Sequence, residues 1–312
     1  MSIQEIVDFM KEKPYVISMG ANKVATWLNA LPSDVRKARR LAKEELRRMS
    51  SGGARILLFD IETSPLKAFV WQTQVWKARI NTDQVLSEWF LLTWSAKWLY
   101  EDEILSDKLT SKEALKEDDS RIVKSLWKLL DEADVVIAHN GDRFDVPNIN
   151  TRMVVSGLKP PKSYQSIDTV KVARKEFGFT HNSLNALAKV FGFDTKIDTD
   201  FELWVRCVEG EEKALKEMEI YNKRDVGLLE EVYLKLRPWI KSHPNLGLFI
   251  DTDDSVCPAC GSKELIWQEG HYYYTGVSKF PVWTCTCGAN GRSRQNLVPK
   301  DKRQDLLVSL AR

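Results

Sequence analysis

The sequence predicts a mixed α/β protein: a sheet laid down first by consecutive strands, then continued by alternating helices and strands, with helices on its faces. Three observations carry this. An apolar run, Ile56 to Ile61, opens a stretch with two further segments rich in aromatic and β-branched residues, over 68–75 and 90–100. Residues 121–132 then set Ile122, Leu126, Leu129 and Leu130 at helical spacing, ahead of a short buried strand over 135–138. Beyond it, apolar stripes of helical period run through 146–156, 170–177, 184–191 and 211–236, and Pro238 ends the last of them.

Two further regions flank this one, giving boundaries at 1–52, 53–250 and 251–312. The first reads as three helices, IQEIVDFMKEK, NKVATWLNAL and SDVRKARRLAKEELRRM, closed by the flexible Ser50-Ser51-Gly52-Gly53. Ser33 is the expected N-cap of the third, with Asp34 favourable in its first turn. The second and third together have a helix-turn-helix shape. Arg36, Lys37, Arg39, Arg40 and Lys43 are candidates to meet nucleic-acid phosphates, positioning a backbone rather than reading bases. A helical hairpin packed on the main domain explains the same pattern. The last region follows a polar stretch, Asp-Thr-Asp-Asp over 251–254, and is dominated by four cysteines.

Composition narrows the function classes. With 43% hydrophobic and 29% charged residues in 312, the chain has the apolar material for a core. No apolar run approaches the ~20 residues of a membrane span. MSIQEIVDFMKEKP carries early acids and has no signal-peptide pattern, so a cytoplasmic protein with no membrane partner is expected. Residues 1–52 hold 10 Lys and Arg against 6 Asp and Glu, and residues 251–312 hold 8 against 7. With a net charge of +2 overall, the middle is mildly acidic between basic ends. That balance fits metal-binding carboxylates between segments that hold nucleic acid.

The acids of the middle region fall into three settings. Asp60 and Glu62 are two apart on the first strand and so share a face, where they repel unless a cation sits between them. Asp145 follows the strand VVIAH and the turn Asn140-Gly141-Asp142, with Phe144 before it and Val146-Pro147 after it. These neighbours imply a constrained, semi-buried position, whereas Asp142 beside the glycine reads as a solvated turn acid. Tyr221 and Asp225 are i and i+4 on a helix, one above the other. Four such acids make a site for two divalent cations, the usual machinery for cutting phosphodiesters.

FDIET, HNGDRFD and YNKRD, in that order, resemble the three motifs of the DEDD 3′–5′ exonucleases, a group with the ribonuclease H-like fold. Tyrosine at 221 is similar to the tyrosine-type branch. SIDTVKVARKEF and LNALAKVFG are similar to phage and bacterial relatives of the family-B polymerase exonuclease domain. The resemblance covers roughly residues 55–240 and implies a ribonuclease H-like mixed sheet flanked by helices. It also implies catalytic Asp60, Glu62, Asp145, Tyr221 and Asp225, with the four acids holding two Mg²⁺ or Mn²⁺ ions. The activity implied is a stand-alone 3′–5′ exonuclease releasing nucleoside 5′-monophosphates, with DNA favoured over RNA and single-stranded 3′ ends as substrate. A phage-encoded chain would work in the host cytoplasm. An exoribonuclease and a non-catalytic nucleic-acid-binding adaptor are the competing readings.

Other residues are weighed by the same logic. Trp71, Trp76, Trp94 and Trp98 lie on or beside the early strands, where alternation buries most of them and leaves the rest to stack bases. His181 and Asn182 precede a helix and read as a cap before a phosphate contact. Asp168 reads as a helix-start acid rather than a fifth ligand. Cys257, Cys260, Cys285 and Cys287 form a CxxC and a CxC pair, each followed by glycine, which reads as one structural Zn²⁺ in a zinc ribbon. Cys207 is left over as a core residue. Arg292, Arg294, Lys300, Lys302 and Arg303, with Trp267, Tyr272, Tyr273, Tyr274 and Trp283, could grip nucleic acid, and a protein-binding ribbon is the alternative.

Overall fold

The computed structural model describes residues 1–17, 19–50, 53–71, 80–194 and 199–308, with side chains in 47–50 left out. It contains two compact units, one of Met1–Ala54 with Leu234–Arg312 and one of Arg55–Tyr233. Among the described residues no helix is long and apolar enough to cross a membrane. The expected strand residues 72–75, Trp76 and the Ser51-Gly52 part of the linker lie outside the described residues.

In the first unit, α1 (Ile3–Glu12) opens with a capping box. The Ser2 hydroxyl accepts from the Glu5 amide at 3.2 Å, and the Glu5 carboxylate accepts from the Ser2 amide at 2.6 Å. α2 (Ala21–Leu28) ends at Asn29 in the left-handed region. α3 (Pro32–Ser50) begins two residues earlier than a Ser33 cap implies, so Ser33 lies inside the first turn and does not cap it. Proline suits that first position because it has no amide to satisfy and its φ is already helical. Ile6, Val7 and Met10 are buried, as are Val35, Ala38, Ala42 and Leu46 at helical spacing. Two of the five candidate phosphate-contacting residues of α3 turn inward. Arg39 donates to the Met19 carbonyl and Lys43 is buried, leaving Arg36, Lys37 and Arg40 exposed.

The second unit holds a five-stranded mixed sheet. Its strands are β1 (Ile56–Thr63), β4 (Leu91–Trp98), β5 (Leu105–Lys108), β6 (Val135–Ala138) and β7 (Gln165–Asp168), in the order β5-β4-β1-β6-β7. β4 runs antiparallel to β1 and β5, while β6 is parallel to β1 and β7. Of the strand expected over 68–75, only β2 (Lys67–Ala68) forms among the described residues, as a short ladder with β3 (Val85–Ser87). β5 and β7 escaped the reading because LSDK and QSID carry almost no apolar signal. The helices are α4 (Ser111–Lys116), α5 (Ser120–Glu132), α6 (Asp145–Val155), α7 (Thr169–Glu176), α8 (Leu184–Phe191), α9 (Phe201–Val208) and α10 (Glu212–Leu236).

The two faces of this sheet differ in chemistry. One presents Leu57, Phe59 and Ile61 with Leu92, Trp94 and Ala96, all buried in the main core together with Ile122 and Leu126 of α5. Trp94 fastens that layer by donating its indole N–H to the Ile122 carbonyl at 2.8 Å, so it is not a base-stacking residue. The other face carries Asp60 opposite Ser95 and Glu62 opposite Thr93, with Lys97, Ser106 and Lys108 in the same rows. α10 lies over this polar face. Lys108 pairs with Glu212 at 2.7 Å, Ser106 donates to Glu219 at 2.6 Å, and Lys97 pairs with the buried Glu230.

A second buried pair ties the apolar side together. Arg152 of α6 grips Asp119 through two nitrogens at 2.6 and 2.7 Å, and the same carboxylate accepts the Leu91 amide of β4 at 2.8 Å. Asp119 is 1% exposed. Replacing Arg152 by Met strands that charge in the core and is expected to cost about 3–5 kcal/mol, read by urea unfolding. The double variant with Asp119→Asn is expected to recover part of the loss.

Candidate functional site

Asp60 and Glu62 reach one face because β1 is pleated, and α10 brings Asp225 to them. One ligand oxygen from each of these three acids lies within 4.8 Å of the others. At that spacing, and an effective dielectric of about 20, each pair of charges repels by about 3 kcal/mol. Asp225 is 2% exposed, whereas Asp60 and Glu62 are half-buried. An all-oxygen donor set of this kind fits a hard divalent cation.

Asp145 comes from a different direction. β6 ends at Ala138 while its parallel neighbour β1 runs on to Thr63. In the strip past the end of β6, the Ile61 amide donates to Asp145 Oδ1 at 3.1 Å. The fourth acid thus sits against the backbone between Asp60 and Glu62, though outside the 4.8 Å triplet. The turn that delivers it is specific. Asn140 has φ 69°, and a Cβ on Gly141 would fall 2.4 Å from that of Ala138, so only glycine fits. Asp168 accepts from the amides of Asn140 at 3.0 Å, Asp142 at 3.4 Å and Val170 at 2.9 Å. It therefore caps α7, as expected, and anchors the turn as well. Asp142 is engaged elsewhere, with Lys171 at 2.7 Å and Ser166 at 2.5 Å.

Tyr221 is 9% exposed and packs edge-on to Trp204 with centroids 6.2 Å apart. It lines a cavity of about 450 Å³ with Thr199, Ile220 and the stems of Lys213 and Lys216. Asn222 escaped the sequence reading. It is fully buried and donates Nδ2 to Asp60 Oδ2 at 2.6 Å, which fixes that carboxylate's orientation. Its only sequence signal was its place between Tyr221 and Asp225, where an asparagine reads as an ordinary helix-surface residue. His181 and Asn182 do not cap α8: Ser183 does, accepting from Ala186 at 3.3 Å, while the Asn182 carbonyl meets His139 Nε2 at 3.0 Å. Trp71 is exposed, and Trp98 lies half-buried beneath the Arg55 guanidinium, 4.2 Å away.

Burial pushes the Asp145 carboxyl up to about 7, with repulsion from Asp168 adding to it and the Ile61 amide opposing it. A folded pKa above the unfolded one means stability is fully present near pH 4. It is lost as pH rises to about 7 in metal-free protein. Asp145→Asn keeps the acceptor for Ile61 and removes the titration. In EDTA at pH 8 it is expected to raise stability by roughly 2–4 kcal/mol, with little change at pH 4, read by thermal melts.

The cysteines form the second centre. β8 (Leu265–Thr275), β9 (Ser278–Cys285) and β10 (Asn290–Arg292) make an antiparallel sheet in the order β10-β9-β8, followed by α11 (Lys300–Gln304). Cys257, Cys260, Cys285 and Cys287 bring their sulfurs within 4.8 Å of one another. Two matching knuckles do this. The Gly261 amide donates to the Cys257 carbonyl at 2.8 Å, the Gly288 amide to the Cys285 carbonyl at 2.9 Å, and both glycines have positive φ. Four sulfurs with no open position fit a structural tetrahedral metal and are compatible with a zinc ribbon. Cys207 is buried apart from them, its thiol pushed up to about 12 by burial. Cys257→Ser is expected to lower bound zinc from one per chain toward zero and expose the β8–β9 hairpin to protease.

The profile of the RNase_H superfamily matches residues 57–237, more than half the chain. The chain belongs to this superfamily, and the fold and the acid cluster support a nuclease. Comparison with curated protein sequences finds no match. Among solved structures, it is similar to the family B DNA polymerase from the hyperthermophilic archaeon Pyrobaculum calidifontis. That likeness has 15% identity and a TM-score of 0.45, and covers 60% of this chain and 25% of the polymerase.

Proposed function

We infer that this chain is a metal-dependent 3′–5′ exonuclease acting on DNA, preferentially at single-stranded 3′ ends, and releasing nucleoside 5′-monophosphates. The observation that carries this reading is the convergence of Asp60, Glu62 and Asp225 within 4.8 Å, with Asp145 bound to the strand between the first two. Superfamily membership supports it.

These four acids would hold two Mg²⁺ or Mn²⁺ ions, which supply charge neutralisation and an activated water for phosphodiester cleavage. The chain's own groups do the rest. Asn222 holds Asp60 Oδ2, so that carboxylate is oriented before substrate arrives. Ile61 holds Asp145 Oδ1 in the same way. Tyr221, one helical turn before Asp225, would orient the attacking water through its hydroxyl. Packing against Trp204 limits the motion of its ring.

The test follows 5′-labelled single-stranded DNA, duplex DNA and RNA with Mg²⁺, with Mn²⁺ and with EDTA. The expected result is a 3′-shortening ladder on DNA that EDTA, Asp60→Asn and Asp225→Asn each abolish. Tyr221→Phe is expected to slow it about a hundredfold, and Asn222→Ala about 10–100-fold through weaker metal affinity. A ladder confined to RNA would replace DNA by RNA in the assignment. Binding without cleavage under every metal would leave a nucleic-acid adaptor.

A further inference from the structure

The β8–β9 hairpin carries an arrangement that cleavage does not require. By the register, Trp267 stands opposite Trp283, Tyr272 opposite Pro281 and Tyr274 opposite Lys279. Residues 279, 281 and 283 alternate along β9, so all these side chains share one face of the hairpin. Trp283 is its buried base: a Cβ on Gly291 would fall 2.4 Å from the indole, so the glycine lets the ring lie flat against β10. Above that base the rings stay in solvent. Trp267 is 46% and Tyr274 63% exposed, and Tyr274 stands edge-on to Tyr272 at 6.3 Å.

Cations are interleaved with these rings. Lys279 Nζ lies 3.7 Å over the Tyr272 ring. On the opposite face the Arg292 guanidinium covers Phe280 at 4.0 Å and reaches toward Tyr273 at 5.3 Å. Some surface cations meet carboxylates, as Lys67 meets Glu117 and Lys263 meets Asp254. Here Lys279, Arg292 and Arg294 have no carboxylate partner among the described residues. From Leu265 to Asn296 the sequence holds three Lys and Arg against a single acid, Glu269.

We propose that this face of the ribbon is a stacking platform for single-stranded nucleic acid. Bases lie on Trp267 and Tyr274, and Lys279 meets the phosphates between them. Exposed rings accept any base, because every base has a flat π-face, and unpaired cations supply the complement to a polyanion. An acidic protein segment would use the cations but has no need of a run of exposed rings. The proposal rests on the reading of the chain as one that acts on nucleic acid, and its test does not depend on cleavage.

Fluorescence anisotropy with a labelled 20-mer of deoxythymidine, without added Mg²⁺ or Mn²⁺ and in the full chain carrying Asp60→Asn, measures binding alone. Trp267→Ala and Tyr274→Ala are each expected to weaken it about tenfold, and Lys279→Gln to lower the salt slope by about one. Trp267→Phe is expected to retain affinity, and zinc content to stay at one per chain in every variant. Unchanged affinity in the Trp267→Ala, Tyr274→Ala double variant with its zinc in place overturns the proposal. If the double variant loses zinc, Lys279→Gln decides: an unchanged salt slope overturns it. Weakened binding in a chain that cuts nothing would keep the platform and remove the exonuclease.

Discussion

The buried carboxylate of Glu230 decides where α10 lies on the sheet. It takes the Lys97 ammonium on one oxygen and the Tyr100 amide on the other, at 2.9 Å. Tyr100 has φ 68°, a costly conformation for an aromatic residue, and it is 4% exposed. The turn after β4 is therefore held by the same group that anchors the helix. Removing either partner would strand a charge in the core, so the geometry is over-determined. Since Lys97 stands opposite Leu58 on β1, fixing Glu230 over Lys97 fixes the helix against the strand that carries Asp60. Asn222 and Asp225 then fall where the acids are. Hydrophobic packing alone would allow a helix to slide. Four polar contacts at Glu212, Glu219, Asn222 and Glu230 do not.

The fourth acid depends on a mismatch in strand length. Had β6 run as far as β1, its backbone would occupy the strip beside Ile61. Because it stops at Ala138, the chain can turn and return a side chain to the Ile61 amide instead. The tightness of that turn, with Gly141 against Ala138 and Asp168 bound to the amides of Asn140 and Asp142, leaves Asp145 little freedom. Its raised pKa expresses the cost: a carboxyl held dry beside other acids is unfavourable until a cation joins it. Stability is given up where charge is needed, a trade common to sites built for highly charged ligands.

Local rules made part of this legible. The alternation of a strand assigned Asp60 and Glu62 to one side, and the apolar neighbours of Asp145 marked it over Asp142, which is tied to Lys171. The glycines after Cys260 and Cys287 announced knuckles, and both adopt positive φ. What stayed hidden depends on distant partners. Nothing near Asn222 in sequence reveals that it meets Asp60, 162 positions away, and Lys97 and Glu230 look like ordinary surface charges until 133 residues of chain have folded. The basic run of α3 misled for the complementary reason. Charge counts treat Arg39 and Lys43 as solvent-facing, whereas helical period turns them toward the interior with Val35 and Ala42.

The two candidate metal centres use opposite strategies, and the difference follows from what surrounds them. The carboxylates stand on a sheet whose other face buries a large apolar core, so that unit has other sources of stability and can carry like charges at close range. The thiolates sit in a ribbon whose own core cluster is small, built around the cysteines, Ala259, Trp283 and Ala289. Such a cluster gives little burial for a three-stranded sheet, so a metal held by the four sulfurs would supply much of its folding energy. A site closed by four soft ligands then holds structure without chemistry. A cluster of hard oxygens, half-open to solvent at Asp60 and Glu62, is not closed in that way.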